Sequence, residues 1–206
     1  RVGNSATLVN RIRADVRSRL PERLRDSVEI THCGGVVTVR IRADSVTFGA
    51  GQAALTTDAR RILDAIGPAL RDAGSALRVE GHTCDLPIRT ARFPSNWELS
   101  AQRAANVMAY LIRCCGIPPT KITAAGFAHT RPLVPNRDEA SRARNRRVDI
   151  LIAGPPAPQL TDTHDHRARR RDHKPSGTAS LTINLEPIRL APPIDLWARH
   201  QRERQR

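Results

Sequence analysis

Arg103 sits where an arginine is out of place. On a helical wheel at roughly 100° per residue, Leu99, Ala104, Val107, Tyr110, Leu111 and Cys114 cover one continuous face, and Arg103 falls in its middle. A guanidinium brought toward a core needs an anion at its planar fork, because its desolvation is otherwise too costly. A carboxylate received bidentately is the best match. Two sources for that carboxylate stay open: an internal ion pair with Asp85, Glu80 or Asp149, or a bound ligand.

A second arrangement is Cys84 as nucleophile with His82 as base. Residues two apart at a strand end share a face without guaranteed contact, and no oxyanion feature accompanies them, so the sequence argues against an enzyme. The four cysteines, Cys33, Cys84, Cys114 and Cys115, form no C-x-x-C pair and have no histidine at zinc-finger spacing. His164, Asp165, His166 and His173 lie near each other, but the run Arg167 to Arg171 beside them would repel a cation, and no metal site is expected there.

The elements that must position these groups follow from periodicity. Leu8, Ile12, Val16 and Leu20 recur every fourth residue behind Asn4 and Ser5, and Pro21 stops the pattern, which predicts a helix over 5–20. Val28 to His32 and Val36 to Ile41 alternate on either side of Gly34-Gly35, a hairpin signature. A stripe of Ile62, Leu63, Ile66 and Leu70, starting after Thr56-Thr57 and ending before Gly74, predicts a second helix. Leu77 to Gly81 reads as a strand. Ser95-Asn96-Trp97-Glu98 is a capping box that opens a helix from Asn96 to Cys115, which Gly116 ends. Ile122 to Phe127 is a short strand, and Arg147 to Ile152, apolar on both faces, is a final strand expected at the centre of its sheet. Strands alternating with helices predict an α+β fold, a two-layer α/β sandwich with a mixed sheet and helices on one face.

The organisation expected is an N-terminal helix and linker over 1–24, one folded domain over 25–154, and a basic, Pro/Arg-rich, disordered tail over 155–206. From residue 156 onward the periodicity disappears, with 10 Lys/Arg against 6 Asp/Glu. Within the tail, residues 181–185 have the composition of an edge strand or a docking segment. The net charge of +14 favours polyanions, but the aromatics Phe48, Phe93, Trp97, Tyr110, Phe127 and Trp197 are scattered rather than clustered, which makes nucleic-acid binding a minority reading confined to the tail. No run of about 18 apolar residues occurs, and the chain opens on Arg1, so any membrane anchor or export signal is expected upstream.

Three segments resemble the signatures of the OmpA C-terminal family: Val79 to Thr83, Phe93 to Ala104, and Asn145 to Val148. The run Phe93-Pro94-Ser95-Asn96-Trp97-Glu98-Leu99-Ser100 resembles the MotB branch in particular, the flagellar-motor type. Gly116 to Pro119, Gly126-Phe127 and Arg131 to Asn136 match in order and spacing, so the resemblance covers about residues 25–153. It implies an α/β sandwich in the periplasm that grips the diaminopimelate of the peptidoglycan stem with an arginine and an aspartate, without a cofactor. The arginine is then Arg103, and the physics agrees: the zwitterionic end of diaminopimelate offers a carboxylate to a guanidinium and an ammonium to an acid.

The chain departs from that family at the acid. The family pattern G-x-T-D appears here as Gly81-His82-Thr83-Cys84, with Asp85 one residue later as a substitute. A neutral thiol accepts only a weak hydrogen bond, so weakened or altered ligand preference is expected. The resemblance places Thr83, Phe48 and Gly49 at the same pocket and lets Leu99 floor it. Asn145 and Arg146 introduce the last strand, in a role weighted toward holding loops. The implied partners are peptidoglycan, a second copy of the chain, and a membrane stator partner reached through a segment absent here. The rivals are a wall-anchored lipoprotein or porin tail, and a degenerate site put to use as a protein-interaction module.

Overall fold

The computed structural model describes residues 2–43 and 46–153. The tail segment 181–185 and the histidines His164, His166 and His173 lie outside the described residues. Helix α1 (Val2–Arg19) begins earlier than its cap signals suggest, so that Asn4 and Ser5 fall within it. It is followed by a single turn, α2 (Glu22–Arg25), which Pro21 precedes in extended conformation. The hairpin β1 (Val28–Cys33) and β2 (Val36–Arg42) turns on Gly34 and Gly35, both at positive φ. Helix α3 (Thr57–Ala73) is capped by the Thr56 side chain at one end and by left-handed Gly74 at the other. Strand β3 (Leu77–His82), helix α4 (Asn96–Cys115), strand β4 (Ile122–Gly126), the short helix α5 (Glu139–Asn145) and strand β5 (Arg147–Ala153) complete the described chain.

Among the described residues the sheet runs β1-β2-β5-β3-β4, with β3 and β4 parallel and every other pair antiparallel. The final strand is central, as its apolar character on both faces predicts. Register fixes what each face carries. Val39, Ile150, Val79 and Ala124 stand side by side on one face and pack into the core beneath α1, α3 and α4. Val9, Ile12, Val16 and Leu20 belong to that same core, so α1 is a structural part of it. On α4 the buried face includes Arg103, Ala104, Val107, Leu111 and Cys115, whereas Cys114 is exposed and Tyr110 half-buried with its hydroxyl on Asp64 Oδ1 at 2.9 Å. The apolar stripe is thus rotated by one residue from the expected one at its C-terminal end.

Two glycines let α4 lie directly on the sheet. A Cβ on Gly81 would stand 2.1 Å from the Ser100 carbonyl oxygen, and one on Gly126 would stand 2.5 Å from the Ala101 nitrogen. Only a residue without a side chain permits that approach.

The opposite face of the sheet carries charge. One position along from the apolar row, Arg40, Asp149 and Glu80 are neighbours. Arg40 Nε donates to Asp149 at 3.0 Å, Arg147 Nε to Asp149 at 2.9 Å, and Arg78 Nε pairs with Glu80 at 2.8 Å. His82, 1% exposed, stacks on Phe127 at 5.5 Å between ring centroids, and the Arg131 guanidinium lies over the Phe127 ring at 3.6 Å from its centroid. The acids weighed as partners for Arg103 are therefore engaged here: Glu80 with Arg78 and Arg131, Asp149 with Arg40 and Arg147.

Ile12→Ala removes a fully buried side chain from the core and should cost about 2–5 kcal/mol in urea unfolding; a cost below about 0.5 kcal/mol would show α1 to be an appendage. Burial, and next the Arg147 guanidinium, push the His82 imidazole down to about 4 from an ordinary 6.5. The unfolded chain takes up a proton near pH 6.5 that the folded chain refuses until about pH 4, so stability falls as pH drops through that window. The loss is on the order of 3 kcal/mol. His82→Gln should flatten this part of the stability–pH curve, measured by denaturant unfolding at pH 7, 5.5 and 4; an unchanged slope assigns the acid sensitivity elsewhere.

Candidate functional site

Where β3 ends and α4 begins, the chain lines a half-open cavity of about 630 Å³, a volume suited to a small-molecule end group. Its floor and walls are apolar, from Phe48, Leu86, Pro87, Ile88 and Leu99, with Thr83, Cys84, Asn96, Arg103, Glu139 and Arg146 supplying polar groups. The 83–95 segment is held over α4 by Asn96, whose side-chain amide donates to the Leu86 carbonyl at 2.8 Å. Thr83 N–H donates to the Ala128 carbonyl at 2.9 Å, which extends the β3 pairing just past the strand's end.

Arg103 is 4% exposed. Its Nε donates to the Gln52 carbonyl at 2.8 Å and Nη2 to the Gly49 carbonyl at 3.4 Å, and the guanidinium lies over the Phe48 ring at 4.8 Å. The side chain thereby fastens the loop between β2 and α3 to α4 and forms one wall of the cavity. Phe48 is itself fixed in an isolated bridge with Leu55, and Asn106, one turn along α4, donates to the Ala53 carbonyl at 2.7 Å.

On the opposite wall stands a chain of contacts through Arg146. Its Nη1 approaches Cys84 Sγ at 3.7 Å, and Nη2 donates to Glu139 Oε1 at 2.5 Å. Glu139 follows Asp138, which caps α5 in a reciprocal box with Ser141. Asp85 points away: Arg142 Nε donates to it at 2.9 Å and holds its carboxyl below the ordinary range. Asn145, fully buried, receives the N–H groups of Leu133 and Val134 and donates to Val134 and Asn136, clamping the 133–136 loop.

Of the residues singled out in the sequence, Arg103, Cys84, Thr83, Leu99, Phe48 and Gly49 line one cavity, and Asp85 and Asn145 stand outside its lining. His82 and Cys84 occupy different surroundings, His82 among Glu80, Asp149 and Phe127, and Cys84 facing Arg146. Glu139 escaped the sequence reading. Its signal is the Asp138-x-x-Ser141 box, which starts a helix that puts positions 139 and 146 on one face, two turns apart.

A model of the OmpA family matches residues 47–146, which span α3 to α5 and every cavity residue except Ala43. Motility protein B of Bacillus subtilis is 28% identical over 146 residues, covering 67% of this chain and 55% of that protein. The chain spans about half the length of two curated relatives, 47% of one and 55% of the other. Among solved structures, a MotB-like protein from Desulfovibrio vulgaris superposes with a TM-score of 0.65 at 30% identity, over 72% of this chain and 93% of that one. The cell wall anchor of the T6SS from Pseudomonas aeruginosa does so with a TM-score of 0.63 at 32% identity, over 71% and 97%. With the sheet order, the cavity at the head of α4 and solved relatives matched over nearly their whole length, this chain belongs to the OmpA family.

Proposed function

We propose that this chain is a non-covalent peptidoglycan anchor that seats the diaminopimelate end of a stem peptide in the cavity beside Arg103. The observation that carries the reading is a buried guanidinium presented at the wall of an otherwise apolar cavity. Such a wall receives a carboxylate with little competition from water, while Phe48, Ile88 and Leu99 offer a surface to methylene groups. Binding of this kind needs no cofactor. The likeness to a cell wall anchor and to motility protein B supports the same reading.

The cell envelope is then the place of action. A MotB-like stator subunit is the parent assembly we favour, with a membrane partner and a second copy of the chain as its companions. The net charge of +14 adds a general attraction to acidic wall polymers, and this must be separated from specific capture.

Co-sedimentation with isolated diaminopimelate-type sacculi separates them, because screened surface attraction fades at high salt and a buried contact does not. The wild type should pellet with sacculi at both low and high salt. At high salt Arg103→Lys, which keeps the charge and loses the fork, should weaken binding, and Arg103→Ala should abolish it. Cys84→Asp, which adds a charge-assisted acceptor, should tighten it roughly ten- to a hundredfold. If neither the wild type nor Cys84→Asp pellets, wall anchoring is wrong.

A further inference from the structure

Four lining positions of the cavity, Phe48, Gly49, Ala50 and Gly51, come from the loop between β2 and α3. The base of that loop is closed by the Thr56 N–H on the Thr47 carbonyl at 3.2 Å and by the Phe48–Leu55 bridge. Its tip turns on the Gln52 N–H, which donates to the Gly49 carbonyl at 3.0 Å. Gly51, at φ +62°, meets the segment after β3 so closely that a Cβ on it would sit 3.3 Å from Ile88 Cδ1. The aperture of the cavity therefore depends on where this tip lies.

Arg103 takes the Gly49 and Gln52 carbonyls of the tip, and a second α4 residue takes the next one. Asn106 Nδ2 donates to the Ala53 carbonyl at 2.7 Å, while its Oδ1 accepts from Gln102 Nε2 at 2.9 Å. A carbonyl only accepts, so the amide nitrogen must face it; Gln102, one turn earlier on the same helix face, satisfies the amide oxygen. Ala53 is 1% exposed and forms a small apolar cluster with Phe93 and Leu99, against which Ile88 packs. Leu99 and Ile88 line the cavity, whereas Asn106 stands outside the lining and acts on a ligand only through the loop.

We propose that Asn106 is a positioning residue for the wall ligand: by holding the Ala53 carbonyl, with Gln102 orienting its amide, it keeps the 49–53 tip docked in the place that binds. The assignment rests on the wall-anchor reading above. Without the donor, the Ala53 carbonyl lacks a partner only while the tip is docked, since water satisfies it once the tip lifts. The docked fraction then falls, and apparent affinity falls with it, because ligand is received by that fraction alone. A tip docked one-tenth of the time binds about tenfold more weakly.

Titration calorimetry with the alanyl-γ-glutamyl-diaminopimelate tripeptide, paired with hydrogen exchange at the Gln52 amide, tests this in the full chain. Asn106→Asp keeps the shape and the Gln102 bond but removes the donor; Asn106→Leu removes it without adding charge. Both should bind the tripeptide about tenfold more weakly. In both, the Gln52 amide should lose protection that saturating tripeptide restores, while amides of β3 and β5 keep theirs. Gln102→Ala, at an exposed position, should shift both readings the same way by a smaller factor, and it carries the test if the Asn106 variants do not fold. Unchanged affinity in N106L overturns the assignment and leaves the wall-anchor reading intact. Weakened binding with Gln52 protection undisturbed also overturns it, since Asn106 would then act by another route. No binding by the wild type overturns the wall-anchor reading, and the assignment with it.

Discussion

A guanidinium that is 4% exposed has five N–H donors and almost no water to satisfy them. Arg103 resolves this by drawing backbone carbonyls to itself, those of Gly49 and Gln52, and by lying on the Phe48 ring. The cost of burying the charge thus becomes a geometric constraint: the loop between β2 and α3 is brought against α4 at one place and cannot drift from it without stranding a cation. Asn106 repeats the tie one turn along, on the Ala53 carbonyl. The cavity is the space left between this fastened loop and the segment after β3, so its shape depends on Arg103 before any ligand arrives. A site built this way meets its ligand with the wall already formed, which lowers the ordering cost of binding.

The sheet supplies the second constraint. Register sets Gly81 beside Gly126 on the helix side, and the backbone of α4 at Ser100 and Ala101 rests on them with no room for a methyl group. Ser100 Oγ then accepts the Ala128 N–H at 3.0 Å, which locks the helix to the turn after β4. Close approach at that point aims the first turns of α4, and with them Leu99 and Arg103, at the end of β3 where Thr83 and Cys84 leave the sheet. Packing of the core and placement of the site are therefore one arrangement: the same two glycines serve both.

Much of this was legible in the sequence, because periodicity and cap chemistry are local. The central position of β5 followed from apolar residues on both its faces, and the buried arginine from its angle on the α4 wheel. The missing parts are those decided across the chain. Asp85 looked like a substitute acid by proximity to Cys84, yet its partner, Arg142, is 57 residues away, and no local pattern shows that a segment so distant folds back beside it. Helix α1 starts at Val2, three residues before the boundary that cap chemistry predicts, because the backbone is already helical where Asn4 and Ser5 stand. At the other end of α4, the choice between Cys114 and Cys115 for the core is made by Gly67 of α3, against which the Cys115 sulfur packs so closely that a Cβ there would sit 2.4 Å from it.

The segment from Asp138 to Asp149 shows how few residues join the separate parts. Asp138 caps α5, Glu139 and Arg146 make one wall of the cavity, Arg142 draws Asp85 away from it, and Asn145 clamps the 133–136 loop. Arg147 and Asp149 then carry the same stretch of chain into the charged outer face of the sheet. Each residue faces a different neighbour because the backbone changes from helix to strand at Arg146, and with it the period of side-chain direction. A seven-residue helix would be marginal alone; here it is held by its cap, by a buried asparagine and by the strand that continues it.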